Sequence, residues 1–574
     1  MKRNMLFTLF ATALAMPLAA QQANVFCTPK TGEALKPVGE IKSVGGKLQG
    51  VVDTTIEKRN VTYYNANTFV CNQLTLRTYN GYQGFSVDPK DRVTPAGIAS
   101  PGPTLRAAVG DSVELIFMNR IDATQFPRTS VTSKFGDCDT VTNISGAAGY
   151  PQPFDKYNFP NCFHASNTTN MHFHGTHVTP GTFGDNVLIG VIPDPAIDPK
   201  VQVAEGAELF KNWGHHSDPT AMLQKQAMTR LEAMLEEAKK ANSTNLVAQL
   251  QSAVDSNKEL AAAGEWPQYW PGFYPYRFTI PRWSGSLKTI PMMGQSPGLH
   301  WYHAHQHGST SLQLLNGLSG LFVITGDYDD KILRLGGGTP EKPKIKEQVM
   351  IFSLFQEQPN QVNASNTSNT LAVNGQVVPT IRMKANEVQW WRIGNAAMRA
   401  HGIQLFLLVD EATYNGFVSK PTTLVNGQPP AIDPRLVPSL NQTARDGVQY
   451  DWRNYQRHSN LATFELAPAN RVDFLVKAPP QKGTAYLVFW PPAGGPPSFK
   501  DIRANTVLKI EYDGQQGDVN TQLPTQEQYP RQPEFLTDIT EKELSGRKRT
   551  VTFSMTGGIG GQPSFFIDGK QFQE

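Results

Sequence analysis

Short runs of alternating apolar and polar residues, punctuated by glycine- and proline-led turns, make up most of this chain. Two of them follow one plan. Residues 101–120, PGPTLRAAVGDSVELIFMNR, carry a proline-led turn, a strand, a Gly-Asp turn and an alternating strand ending in Asn119. Residues 377–397, VVPTIRMKANEVQWWRIGNAA, repeat the plan from Pro379 through a polar turn to an alternating strand ending in Asn395. A period of two marks the half-buried strand. The repetition predicts an all-β protein with two β-sandwich domains of common design, over 21–330 and 345–515. The period changes in one region. In 221–241, Met222, Met228, Leu231, Met234 and Leu235 fall at helical spacing among Glu and Lys, and NLVAQLQSAVDSNKELAAA follows in the same style. These stretches predict a helical insertion in the first domain, over about 201–264. Its methionines read as core packing, with copper shuttling by Met222, Met228 and Met234 as the alternative, because a thioether binds soft Cu(I). Two further strands are expected at 547–555 and 565–574, with a turn at Asp568-Gly569.

Length and composition narrow this picture. A chain of 574 residues exceeds one ordinary core. The formal net charge of +3 comes without any long basic or acidic run, so neither nucleic acid nor an anionic membrane is indicated as a partner. Residues 1–20 read as a signal peptide: Lys2 and Arg3, then MLFTLFATALAMPLAA, ending in small residues. That predicts export to the periplasm or the extracellular space. No later segment is apolar enough to span a bilayer. The four cysteines, Cys27, Cys71, Cys138 and Cys162, then read as two disulfides. Three pairings are possible, and Cys27–Cys71 with Cys138–Cys162 is favoured.

Histidine carries the chemistry. The chain has twelve, and seven lie in two windows: His172, His174 and His177 in NMHFHGTHVTP, and His300, His303, His305 and His307 in GLHWYHAHQHG. Residues i and i+2 of a strand share a face. His172 and His174 therefore project together, with Phe173 opposite. His303 and His305 do the same, with Ala304 opposite, and His307 joins them if the strand stays regular. Gly175 and Gly308 would end the strands and leave room for close backbone approach. Two such pairs on facing strands gather four imidazoles around one point, a donor set suited to zinc, copper, iron or nickel.

These windows resemble the first two copper motifs of the multicopper oxidases, the laccase-like superfamily. The 101–120 stretch resembles that family's first-domain strand pair, and NGQVVPTIRMKANEVQWWRIGNAA resembles the start of its second domain. The resemblance covers most of 60–200 and 270–515; the helical insertion falls outside it. It implies tandem cupredoxin-like Greek-key β-sandwiches and a trinuclear copper site shared between the first and third domains. It also implies that His172 binds a type 2 copper, His174 and His303 one copper of the type 3 pair, and His305 the other. Asp185 resembles the acid that relays protons beside the type 2 copper, the alternative being a solvated loop aspartate. His177, His300 and His307 match no family ligand. The implied reaction takes single electrons from a reducing small molecule or metal ion at a type 1 copper and delivers them to dioxygen, which becomes water.

The family's two later motifs, HPxHxHG and HCHxxxH, are absent. After His307 only His401 and His458 remain, and after Cys162 there is no cysteine, so no thiolate is present for a type 1 copper. Residues 545–574 resemble the opening strands of a truncated third cupredoxin domain. The expectation is a half-site whose third domain is needed in cis or in trans, with the isolated chain inactive. Two alternatives stand beside it: a non-catalytic exported copper-binding protein, and a mononuclear zinc or iron enzyme on a β-sandwich.

Overall fold

In the computed structural model, residues 26–65, 67–95, 101–122, 166–213, 219–285, 294–355, 370–397, 404–421, 424, 428–491, 501–536, 541–544, 546, 548–557 and 563–570 are described. The signal-peptide stretch, Cys138, Cys162 and His401 lie outside these residues. The protein is all-β, built of several sheets, with helices confined to short connections and one insertion.

Two sheets enclose the first core. One has the strand order Thr68–Gln83, Lys47–Asn65, Ser112–Asn119, Phe273–Thr279. The other has Glu40–Lys42, Thr104–Ala108, Ser319–Thr325, Gly298–His303, His172–His174. Their inner faces meet in a cluster that includes Leu48, Phe117, Tyr276, Phe173, Tyr302 and Phe322. A second pair of sheets encloses a separate core. Val388–Asn395 lies between Lys346–Ser353 and Arg471–Lys477 in one, and Thr380–Met383, Thr506–Tyr512, Gly483–Trp490 and Gln404–Asp410 run side by side in the other. Trp391, Phe406, Leu487 and Phe489 belong to that core.

The repeat seen in the sequence is also a repeat of topology. Thr104–Ala108 and Ser112–Asn119 do not form a hairpin, because the chain crosses from one sheet to the other between them. Thr380–Met383 and Val388–Asn395 cross in the same way. Pairing matches too. Thr104–Ala108 runs parallel to Ser319–Thr325, as Thr380–Met383 does to Thr506–Tyr512. Ser112–Asn119 is parallel to Lys47–Asn65 and antiparallel to Phe273–Thr279, and Val388–Asn395 is parallel to Lys346–Ser353 and antiparallel to Arg471–Lys477. Even the crossing turns share a device. Gly110 at φ +94° precedes Asp111, whose carboxylate accepts the Ala108 amide at 2.8 Å. Asn386 at φ 57° precedes Glu387, whose carboxylate accepts the Lys384 amide at 2.6 Å. A left-handed residue followed by an acid closes both turns, which is why glycine or asparagine stands there.

Helices Pro199–Asn212, Pro219–Lys240 and Thr244–Ala262 interrupt the first unit. Met234 packs with Leu231, Leu235, Leu250 and Val254, with Met228 against them, while Met222 is exposed. The first helix escapes the periodicity reading because its buried side carries Gln202 and Gly206 among its apolar residues. Cys27 and Cys71 form a disulfide, tying the amino-terminal segment to the long hairpin of Lys47–Asn65 and Thr68–Gln83. Near the chain's end, Phe553–Gly557 pairs with Pro563–Ile567, and mutual Ile567 and Lys570 backbone hydrogen bonds close a turn through Asp568 and Gly569. Among the described residues no helix is long and apolar enough to cross a membrane.

Candidate metal centre

His172–His174 is a three-residue edge strand paired antiparallel to Gly298–His303. The register puts His172 opposite His303, Phe173 opposite Tyr302, and His174 opposite Trp301. Phe173 and Tyr302 are fully buried in the first core. Parity alone then turns His172, His174, Trp301 and His303 to the other face of the sheet. The strand ends at His303, so His305 and His307 are not carried along it as a regular extension would require. His305 reaches the same place from the following loop, its backbone amide held by Asn170 Oδ1 at 2.7 Å. His307 sits exposed in a turn. Gly175 (φ +82°) and Gly308 (φ +77°) follow the two windows in left-handed conformations. A Cβ on Gly175 would come within 2.4 Å of Arg471 Nη2, so only glycine lets that guanidinium lie against the strand end.

Four imidazole rings converge. The His172 ring centre is 5.4 Å from that of His174, 5.2 Å from His303 and 5.0 Å from His305. His303 is 5.6 Å from both His174 and His305. One ring nitrogen from each of His172, His174 and His303 lies within 4.8 Å of the other two. The Asp185 carboxylate receives His172 Nδ1 at 2.8 Å and the Phe173 amide at 2.8 Å. The Asp185 side chain is 12% exposed and lies against the histidine strand. His303 Nδ1 donates to Ala304 O at 2.9 Å, which leaves Nε2 as its free lone pair. That Nε2 is 3.4 Å from His174 Nδ1.

Burial and neighbouring charge favour the neutral form of His174, His303 and His305. Burial, then the Arg471 guanidinium, lowers His174 to about 4. Burial lowers His303 well below the ordinary imidazole value, and burial followed by the charge of His172 lowers His305. Neutral imidazole is the metal-binding form. The donors suit copper: several uncharged borderline nitrogens, one ring oriented by a carboxylate and another by a carbonyl, facing one another without strong mutual hydrogen bonds.

Among the described residues, His177, His300 and His458 stand apart from these four. His300 has opposite strand parity and is buried, with Nε2 3.2 Å from Gln295 Nε2 and 3.3 Å from Ser296 O; burial and then Arg471 lower it to about 3. His177 Nδ1 donates to Gly294 O at 3.0 Å. His458, in the second unit, donates to Asn454 O at 2.8 Å. Three residues around the site were missed by sequence reasoning. Trp301 stacks on His303 at 4.2 Å, and its position two residues earlier on the same strand was the available signal. Asn170 and Arg471 had none, since one acts through its side chain on a distant loop and the other arrives from the second unit.

No family model matches the chain, and no curated protein matches its sequence. Solved structures similar to it include three multicopper oxidases. One from Campylobacter jejuni, described as a metallo-oxidase, is 14% identical at TM-score 0.40, with 86% of this chain and 65% of that one covered. One from Pediococcus acidilactici is 13% identical at TM-score 0.46, with 95% and 71% covered. The 2F4 variant of McoA from Aquifex aeolicus is 13% identical at TM-score 0.45, with 94% and 75% covered. The chain spans 65% of the length of the first of these.

Proposed function

We propose that this chain is part of an exported laccase-like multicopper oxidase, which couples one-electron oxidation of a reducing small molecule or metal ion to reduction of dioxygen. The observation that carries the reading is the pairing of two H-x-H segments, with His172 directly opposite His303 and His305 brought to the same point. His172, His174, His303 and His305 would hold copper. By the resemblance, His172 serves a type 2 copper, and His174, His303 and His305 serve a type 3 pair. Bound there, copper supplies the one-electron redox chemistry that no side chain of this set performs.

The protein's own part is to shape and orient. Asp185 accepts His172 Nδ1–H and so presents Nε2 as the ligand atom. The Ala304 carbonyl does the same for His303. By the resemblance Asp185 also relays protons. Trp301 walls one side of His303 and keeps water from its ring. A type 1 site requires a cysteine thiolate, and the sequence holds none after Cys162. The complementary ligands are therefore assigned to a third cupredoxin domain, in cis or in trans.

A second reading has its own observation: three ring nitrogens, those of His172, His174 and His303, converge most tightly. Three imidazoles with an open position suit a mononuclear zinc or iron enzyme, and a non-catalytic copper binder would use the same donors. Titrating the purified chain with copper(II), and reading metal content and absorption, separates the four-histidine copper site from the mononuclear one. The oxidase reading expects copper uptake that falls when His305 is replaced by Ala, and no intense thiolate-to-copper band from this chain alone. One metal per chain, indifferent to His305→Ala, would establish the mononuclear site instead.

A further inference from the structure

The chain that leads into the His172–His174 strand is polar yet buried. Ser166, Asn167, Thr168, Thr169 and Asn170 are each no more than 2% exposed. Burying consecutive polar side chains is costly unless they find partners, so the destination of their hydrogen bonds is informative. Thr169 Oγ1 donates to Gln313 Oε1 at 2.8 Å, and Gln313 Nε2 donates to Thr168 O at 2.7 Å. Gln313 lies in the short helix Thr310–Leu314, just beyond the loop that carries His305. Asn170 reaches that loop itself, through the His305 amide. The buried polar run thus ties the loop and its following helix down at two points.

Asn170 joins three segments. Its Nδ2 donates to Val187 O at 3.0 Å and to Ile189 O at 2.9 Å, so both N–H bonds are spent on the segment that follows Asp185. Those two carbonyls fix the way the amide faces, and its oxygen is left to accept the His305 N–H. His305 needs such a support. The ladder that places His303, opposite Ser319 and His172, ends at that residue, and a binding constellation has to be held to within about 0.5 Å by the groups around it. Asn119 offers a matched comparison in the same unit. It is 1% exposed where Asn170 is fully buried, and it too makes three hydrogen bonds. Its Oδ1 accepts the Ile121 amide at 3.0 Å, and its Nδ2 donates to Asn167 O at 2.8 Å and Val191 O at 2.6 Å. The two asparagines do the same structural work, but only Asn170 holds a histidine of the metal centre.

We propose that Asn170 is a positioning residue that sets His305 against the other three imidazoles, a role that rests on the four-histidine copper reading. Copper(II) titration of the full chain tests it, with melting curves confirming that each variant is folded. Asn170→Ala should weaken copper binding about 10–100-fold, as loss of a group that orients a ligand does. Asn119→Ala gives up as many hydrogen bonds; it should lower the melting temperature alike and bind copper as wild type does. In the His305→Ala background Asn170→Ala should add no further loss, because its route to the metal is gone, whereas a merely structural role would lower affinity in both backgrounds. Hydrogen exchange resolved to the His305 amide of the metal-free wild-type chain gives a reading that no variant's folding affects, and slow exchange is expected. Wild-type affinity in Asn170→Ala beside an impaired His305→Ala, equal losses in Asn170→Ala and Asn119→Ala, a further loss in the double variant, or fast exchange at His305 would each overturn the proposal while the copper reading stands. Wild-type affinity in His305→Ala would overturn both.

Discussion

The His172–His174 and Gly298–His303 pair in the first unit has a topological counterpart in the second. Gln404–Asp410 lies beside Gly483–Trp490, which lies beside Thr506–Tyr512, just as the histidine strands lie beside Ser319–Thr325. Inward positions are alike: Phe173 faces Tyr302 in one register, and Phe406 faces Phe489 in the other. All four are buried in their cores. Outward positions are opposite in character. The first unit has His172, His174, Trp301 and His303; the second has Leu405, Leu407, Val488 and Trp490. Helix Glu411–Ser419 covers the second set with Tyr414, Phe417 and Val418. One scaffold thus carries a candidate metal centre or a hydrophobic layer, according to alternate residues on two strands. The fold depends on one parity, and the chemistry is written on the other.

The strongest way to break that comparison is to attack the shared parity. Phe173→Ala and Phe406→Ala should each destabilise by about 3–5 kcal/mol, since each deletes a fully buried ring. Denaturant unfolding measures this. A cost near zero for Phe173→Ala would show that its short edge strand is not held by the core, and the equivalence would fail.

Attacking the other parity should separate the units. His303→Ala and His174→Ala should weaken copper binding by at least about 10–100-fold, the loss usual for groups that only support a ligand, while changing the metal-free stability little. Leu407→Ala should cost about 2–5 kcal/mol and leave metal binding untouched. His458→Ala, on a histidine tied to its own helix, should move neither. Metal content after dialysis and unfolding curves together read this crossing of effects. Copper retention by His303→Ala would remove the facing-strand site.

The parity argument explains what could be read from residues alone. H-x-H with an intervening aromatic specifies two faces, and a repeated proline-to-asparagine plan specifies a repeated crossing between sheets, because both are local patterns. The end of the strand at His303 was not legible, since a period of two continues in the letters through His307 while the backbone turns. Nor was Arg471, which reaches Leu299 O at 3.2 Å from the second unit. Its contact depends on how two cores pack, and nothing near either histidine window encodes it. The first insertion helix was obscured by Gln202, the polar residue turned to its buried side.

A smaller contrast concerns acid. The histidine strands are ionisable, at His174 on the outward face and at His300 on the other; the Leu, Val and Trp positions of their counterparts are not. In the metal-free chain His300 is lowered to about 3 and His174 to about 4, against about 6.5 when unfolded. Between those values the unfolded chain binds protons that the folded chain refuses. Stability is therefore fully present above about pH 6.5 and is lost as pH falls through 4 toward 3, with a slope of up to about 1.4 kcal/mol per pH unit for the fully buried His300 and less for the half-buried, solvent-screened His174. His300→Gln should reduce that slope by one group's share, read from unfolding free energy at several pH values. An unchanged slope would mean that His300 is not buried neutral.

The smallest expected effect tests whether an aspartate near each edge of the comparison does the same work. Asp410 ends its strand by capping helix Glu411–Ser419, accepting the Ala412 and Thr413 amides at 3.0 Å each. Asp185 also accepts a backbone amide, that of Phe173, but its carboxylate holds His172 as well. Asp185→Asn keeps one acceptor oxygen, turns the other into an NH2 donor and removes the charge. Loss of an orienting carboxylate of this kind weakens metal binding by about tenfold or more, whereas a cap-like structural role would leave affinity unchanged and affect only stability, by well under 1 kcal/mol when an acceptor remains. Asp185→Ala removes the acceptor altogether and should add a stability loss of about 1 kcal/mol. Copper affinity in Asp185→Asn is the deciding measurement. If it equals wild type while Asp185→Ala is destabilised, Asp185 serves the backbone, as Asp410 does, and has no part in the histidine centre.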